Sequence, residues 1–167
     1  MANFKNQNIN ENRDQLIRYN LPLIFIIAIF LQIIIGAFVS GMDAGKIYNT
    51  WPLKGNNYFP DDNKFFNLFK LNALSEPSLV QFIHRNLAYI ILGIFFIILF
   101  FVINYRLYKF YMIIKILGTV LIVQIILGIL TVINGAQILL ASMHQISSIA
   151  LISFSIYLLF LNTKKIN

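Results

Sequence analysis

The sequence predicts an all-α integral membrane protein, an up-and-down bundle of four helices. Three observations predict it. Only 11% of the 167 residues are charged and 59% are hydrophobic, whereas a soluble domain carries about 25% charged residues. The apolar residues gather into four runs of the roughly 20 residues that a spanning helix needs. The basic residues stand beside those runs, where they orient helices. The net charge of +7 is therefore read as a topology signal, and no nucleic-acid partner is expected. Lipid is the expected surroundings. Cysteine is absent, which excludes disulfides, thiolate metal sites and iron–sulfur clusters on this chain.

Residues 1–20 are polar and Asn-rich, with Lys5, Arg13 and Arg18 set against Glu11 and Asp14. They read as a solvent-facing lead-in on the inner side. The run that follows lacks a small-residue cleavage site and is read as a retained helix, not a signal peptide. Helix one is expected at about 21–41, with Pro22 in a first turn, where its missing N–H costs little. Residues 42–79 form the longest polar segment, too long for a plain turn between bundle helices. Its Lys46, Lys54, Lys64 and Lys70 cancel Asp43, Asp61, Asp62 and Glu76. Tyr48, Trp51, Tyr58, Phe65, Phe66 and Phe69 predict an ordered cap at the membrane interface. Within it, KFFNLFKL is a candidate short amphipathic helix.

Helix two is expected at about 78–103, helix three at 111–133 and helix four at 140–161. The phenylalanines of helix two (Phe95, Phe96, Phe100, Phe101) are read as lipid-facing or packing residues. The link between helices two and three holds Arg106, Lys109 and Lys115, and the tail holds Lys164 and Lys165, with no acid in either. The link NGAQILLA is uncharged and the 42–79 loop is neutral. The positive-inside rule then puts both termini inside and the long loop outside. Lys54 should accordingly be reached by label only from the outer side.

A short echo runs through the chain. LQIIIG (Leu31–Gly36) recurs as VQIILG (Val123–Gly128). Each copy closes an outward-running helix and precedes a helix that carries a histidine near its outer end. Gln32 and Gly36, like Gln124 and Gly128, share a helix face. The echo reads as a duplicated helical hairpin, with chance similarity in an Ile/Leu-rich chain as the alternative.

His84 and His144 are the only histidines. Ionisable groups at membrane depth are costly and usually functional. Helices two and four run the same way and lie diagonally opposed in an up-and-down bundle, so the two imidazoles fall at similar depth. The pair is read as axial ligands of one haem iron. Gly36, Ala37, Ser40, Gly128 and Thr131 leave room for a flat macrocycle. Arg85, beside His84 at the water interface, suits a haem propionate; the alternative is a helix-end anchor. Two histidines that merely hydrogen-bond their neighbours also fit the pattern. A zinc site fits less well, because zinc takes three or four ligands.

The segment GAFVSGMDAGKIYNTWPL resembles GxFVAGxDAGxxYNTWPLM of the haem A synthases of bacteria and mitochondria. VQFIHRNLAY and LGILTVINGAQILLASMHQ resemble two later segments of that family, and the likeness covers roughly residues 30–150. The resemblance implies eight membrane helices in two related four-helix halves, and oxidation of a methyl group of haem O to the formyl group of haem A. This chain looks like the half that holds haem b. His84 and His144 would then be its axial ligands, and the loop around Asp43, Tyr48, Asn49 and Trp51 would fold over the outer haem edge. The family's substrate half carries a glutamate three residues before its first histidine. Here that position holds Gln81, so no catalytic residue is expected on this chain. A substrate half with haem O is the implied partner, the electron donor is not indicated, and the implied location is a bacterial plasma membrane or mitochondrial inner membrane. The readings carried forward are an enzyme part, a stand-alone b-type cytochrome for electron transfer, and a haem-free scaffold or transporter bundle.

Overall fold

The computed structural model of the chain describes residues 16, 17 and 20–163. Most of the expected lead-in, including Arg18, lies outside the described residues, as do Lys164 and Lys165. Four long helices make up the protein: α1 (Asn20–Gly41), α2 (Pro77–Asn104), α3 (Tyr111–Ile133) and α4 (Ile138–Thr163). All four are long and apolar enough to span a membrane. No strand occurs among the described residues. Pro22 is buried in the first turn of α1, and Pro77 opens α2. Both positions suit a residue without an N–H. α4 starts two residues earlier than its hydropathy indicates, at Ile138 and Leu139, which are largely exposed.

α1 packs along α2, and α3 along α4; α1 also packs on α4, whereas α2 meets α3 only lightly. α2 and α4 therefore stand diagonally opposed. The apolar core cluster is built chiefly from the first half of α1 and α3 (Phe25, Ile29, Leu117) and the second half of α2 and α4 (Phe95, Ile98, Leu158). Because the helices alternate in direction, all of these lie at the bundle end away from the long loop. At the loop end the facing positions are filled instead by glutamine, glycine and histidine. Phe95 is buried in the core, whereas Phe96 and Phe100 are exposed on the outer surface, so the row of phenylalanines on α2 divides between packing and the lipid-facing side. At the far end, Asn162 Nδ2 donates to the Ile17 carbonyl at 3.0 Å, and both residues are buried. Ile17, read in the sequence as part of a solvent-facing lead-in, thus closes the α1–α4 seam.

The long loop forms three short 3-10 turns, Ala44–Lys46, Phe65–Phe69 and Leu71–Ser75. KFFNLFKL contributes a single such turn and not an α-helix. Its Phe65, Phe66 and Phe69 remain exposed. The same face that places aromatic rings outward suits an interface position.

Candidate haem-ligand site

The first two turns of α2 divide their side chains between loop and core. Gln81, Phe82, Arg85 and Asn86 lie on one face and organise the loop. The Arg85 guanidinium is buried and donates to the carbonyls of Pro52 (2.9 Å), Leu53 (3.2 Å) and Thr50 (3.1 Å). Gln81 Nε2 donates to the Tyr48 carbonyl at 3.2 Å, and Gln81 Oε1 accepts from Lys54 Nζ. Tyr58 hydrogen-bonds Asn86, and the Phe59 ring meets Phe82 edge-on at 5.1 Å. On the other side of the loop, Asn49 Nδ2 donates to the carbonyls of Gly45 and Val132, which ties the loop to the end of α3. The DAGKIYNTWPL segment is thus a cap held from beneath by polar side chains that α2 presents at the spacing of one helix face.

Lys54 is the side chain that the sequence placed wrongly. It is fully buried, with Nζ 4.8 Å from the Tyr48 ring centroid. A label would therefore not reach it from either side; Lys46, Lys64 and Lys70 are the exposed loop lysines. Burial and, next, the Arg85 charge push the Lys54 ammonium from 10.5 down to about 7, against a smaller opposing pull from Asp62. Between those two values the unfolded chain holds a proton that the folded loop has released. Stability therefore rises with pH across that window, and the contribution is lost as pH falls through about 7. Protease resistance of the loop in the wild-type protein is expected to be greater at pH 9 than at pH 6, and Lys54→Met should flatten the difference. An identical pH slope in both proteins would remove Lys54 as its source.

His84 points away from the loop, toward α1. Each histidine lies about two turns into its helix, so the depths match. The two rings meet across the bundle with centroids 6.4 Å apart and planes at 73°. The surroundings repeat. Gln32 Nε2 donates to the His84 carbonyl at 3.0 Å and sits 3.2 Å from His84 Nε2. Gln124 Nε2 donates to the His144 carbonyl at 3.0 Å and sits 3.4 Å from His144 Nε2. One turn on, a Cβ on Gly36 would fall 3.1 Å from His84 Cε1, and one on Gly128 would fall 3.0 Å from His144 Cε1. Any larger residue would require the imidazole to shift by a few tenths of an ångström. The echoed Gln-x-x-x-Gly is the seat of each histidine.

The centroid spacing matches that of two imidazoles on opposite sides of one metal, while each Nε2 faces the glutamine of its own hairpin. A metal–imidazole bond is about 2 Å, so two rings on opposite sides of one metal have centroids about 6 Å apart. Among the described residues no group of three His, Asp or Glu side chains gathers as a metal site. What the bundle offers is a pair of nitrogen ligands, the donor set of a bis-histidine haem rather than of zinc.

Residues 2–156 match the cytochrome oxidase assembly protein family. The chain belongs to that family. Among curated members, the heme A synthase of Pelagibacter ubique (strain HTCC1062) is 41% identical over 145 residues, 86% of this chain and 43% of the relative. The heme A synthases of Rickettsia felis and Rickettsia akari are each 38% identical over 145 residues, 84% of this chain and 43% of each relative. This cytochrome oxidase assembly family member therefore spans less than half the length of the curated relatives it matches. No solved structure matches it. Sequence reasoning noted the echoed glutamines but did not assign them to the histidines. The signal was present: each copy sits on the helix preceding its histidine.

Proposed function

We propose that the chain is the haem b half of a haem A synthase, the enzyme that its relatives are named for, and that His84 and His144 are the axial ligands. The observation that carries the reading is the imidazole pair, 6.4 Å apart on diagonal helices and seated twice by the same Gln-x-x-x-Gly. Bound there, a bis-histidine haem supplies reversible one-electron transfer. The chain's own residues hold the imidazoles and cover the outer edge. Arg85 uses three of its five N–H donors on the cap, leaving two for a propionate. The other half of an eight-helix protein would bind haem O. Purified protein is expected to show sharp b-type bands when reduced and almost no reaction with carbon monoxide. A protein without haem bands, or one that binds carbon monoxide fully, would overturn the assignment.

The membrane orientation we propose puts the cap outside and both termini in the cytoplasm or matrix, on the strength of Arg106, Lys109, Lys115, Lys164 and Lys165. A reporter fused after Asn167 is expected to work only on the inner side. An impermeant amine reagent should label Lys64 and Lys70 only from outside; labelling from within would reverse the topology.

A further inference from the structure

We infer that Gln32 and Gln124 are positioning residues that set the tautomers of the two histidines, and that they leave the pair unequal, with His144 held twice and His84 once. The consequence for haem rests on the reading above; the geometry does not. Each glutamine donates to a histidine carbonyl, which fixes its amide nitrogen as the atom beside the ring. An amide N–H₂ only donates. His84 Nε2 and His144 Nε2, 3.2 and 3.4 Å from those nitrogens, are therefore acceptors, and each ring carries its proton on Nδ1. That tautomer makes Nε2 the acceptor atom of each ring; in this structure the glutamine amide occupies its single lone pair, and a metal would take the amide's place there.

From this point the two hairpins diverge. His144 Nδ1 donates to the Gln124 backbone carbonyl at 3.1 Å, so its tautomer is set at both nitrogens, once by main chain. Gln124 Oε1 is in turn held by the Ser147 hydroxyl. At the matching position beyond His84 stands Leu87. His84 Nδ1 and Gln32 Oε1 are both buried, with no hydrogen-bond partner among the described residues. A hydrogen bond at the far ring nitrogen orients a ligating imidazole and raises its basicity. His144 has that bond and His84 lacks it. Once a metal takes Nε2 from the glutamine amides, His144 keeps a polar hold on its ring at Nδ1 and His84 keeps none, so His144 is the fixed, stronger ligand and His84 the exchangeable one.

Because the chain has two histidines, nitrogen-15 histidine NMR of the full chain without added haem reads each tautomer directly. The wild-type protein is expected to show the Nδ1–H form at both. Gln32→Met should release His84 to mixed tautomers, whereas Gln124→Met should leave His144 unchanged, because the backbone contact survives. With haem added to the wild-type protein, excess imidazole is expected to displace His84 and leave His144 bound, because only His144 keeps a partner at Nδ1. An Nε2–H tautomer at either wild-type histidine, or equal responses from the two methionine variants, would overturn the inference. Failure of every protein to take up haem would count against the haem reading alone, while the tautomers still decided this one.

Discussion

His84→Ala and His144→Ala are each expected to abolish the six-coordinate, low-spin haem spectrum. Loss should exceed the 10- to 100-fold, roughly, that outer-shell changes cost a metal site. Each variant removes one of only two donors, and no other His, Asp or Glu stands close enough to complete a metal site among the described residues. Any haem that remains should be five-coordinate, high-spin and open to carbon monoxide. The fold should survive both changes, because the tightly packed apolar core lies at the other end of the bundle. Circular dichroism and size-exclusion profiles test that point alongside the haem spectra. Wild-type-like spectra in both variants would sink the ligand assignment.

Expression of Met1–Asn167 in a cell that makes haem O but lacks haem A synthase is expected to yield no haem A. Oxidising a ring methyl group develops positive charge at that carbon, and a fixed carboxylate is the natural stabiliser, since electrostatic stabilisation is usually the largest catalytic term. Asp43, Asp61, Asp62 and Glu76, the acids among the described residues, all lie in the loop outside α1 to α4. Gln81 stands where the family's substrate half carries a glutamate. Both ends of its amide are engaged, one by Lys54 and the other by the Tyr48 carbonyl. It is neutral, and it acts as a strut under the cap and not as a base. A second copy of the chain repeats the same residues and supplies no acid. Co-expression with a partner half that has its own histidine pair and a glutamate is expected to restore the product. Haem A from this chain alone would refute the division of labour.

The helices were legible because hydropathy reports lipid exposure directly, and the bilayer sets their length. The diagonal histidine pair was legible from helix alternation and matched depth. The polar contacts of the cap were not. Arg85 and Lys54 look like surface cations, since nothing in their local sequence announces that one is spent on three carbonyls and the other lies under Tyr48. Their placement depends on where a 35-residue-scale loop doubles back over α2, which is a tertiary outcome with no period to read. Ile17 was missed for a similar reason. Its partner Asn162 is at the other end of the chain, and a polar residue in an apolar helix gives no sign of which backbone carbonyl it satisfies. Gln32 and Gln124 stood in plain view as a repeat, but a repeat shows equivalence without showing contact.

The light contact between α2 and α3, set against the close pairing within each hairpin, bears on how the protein is made. Every group that orients His84 lies on α1 or α2, and every group that orients His144 lies on α3 or α4. Each hairpin leaves the ribosome carrying a finished half of the ligand set, so the first can enter the bilayer and settle before the second has been synthesised. What joins the halves at the loop end is the bond from Asn49 to the Val132 carbonyl, which forms only when α3 is in place. A haem shared by the two rings, as proposed above, would add a second fastening at that end, and one that can be supplied only after both hairpins are in the bilayer.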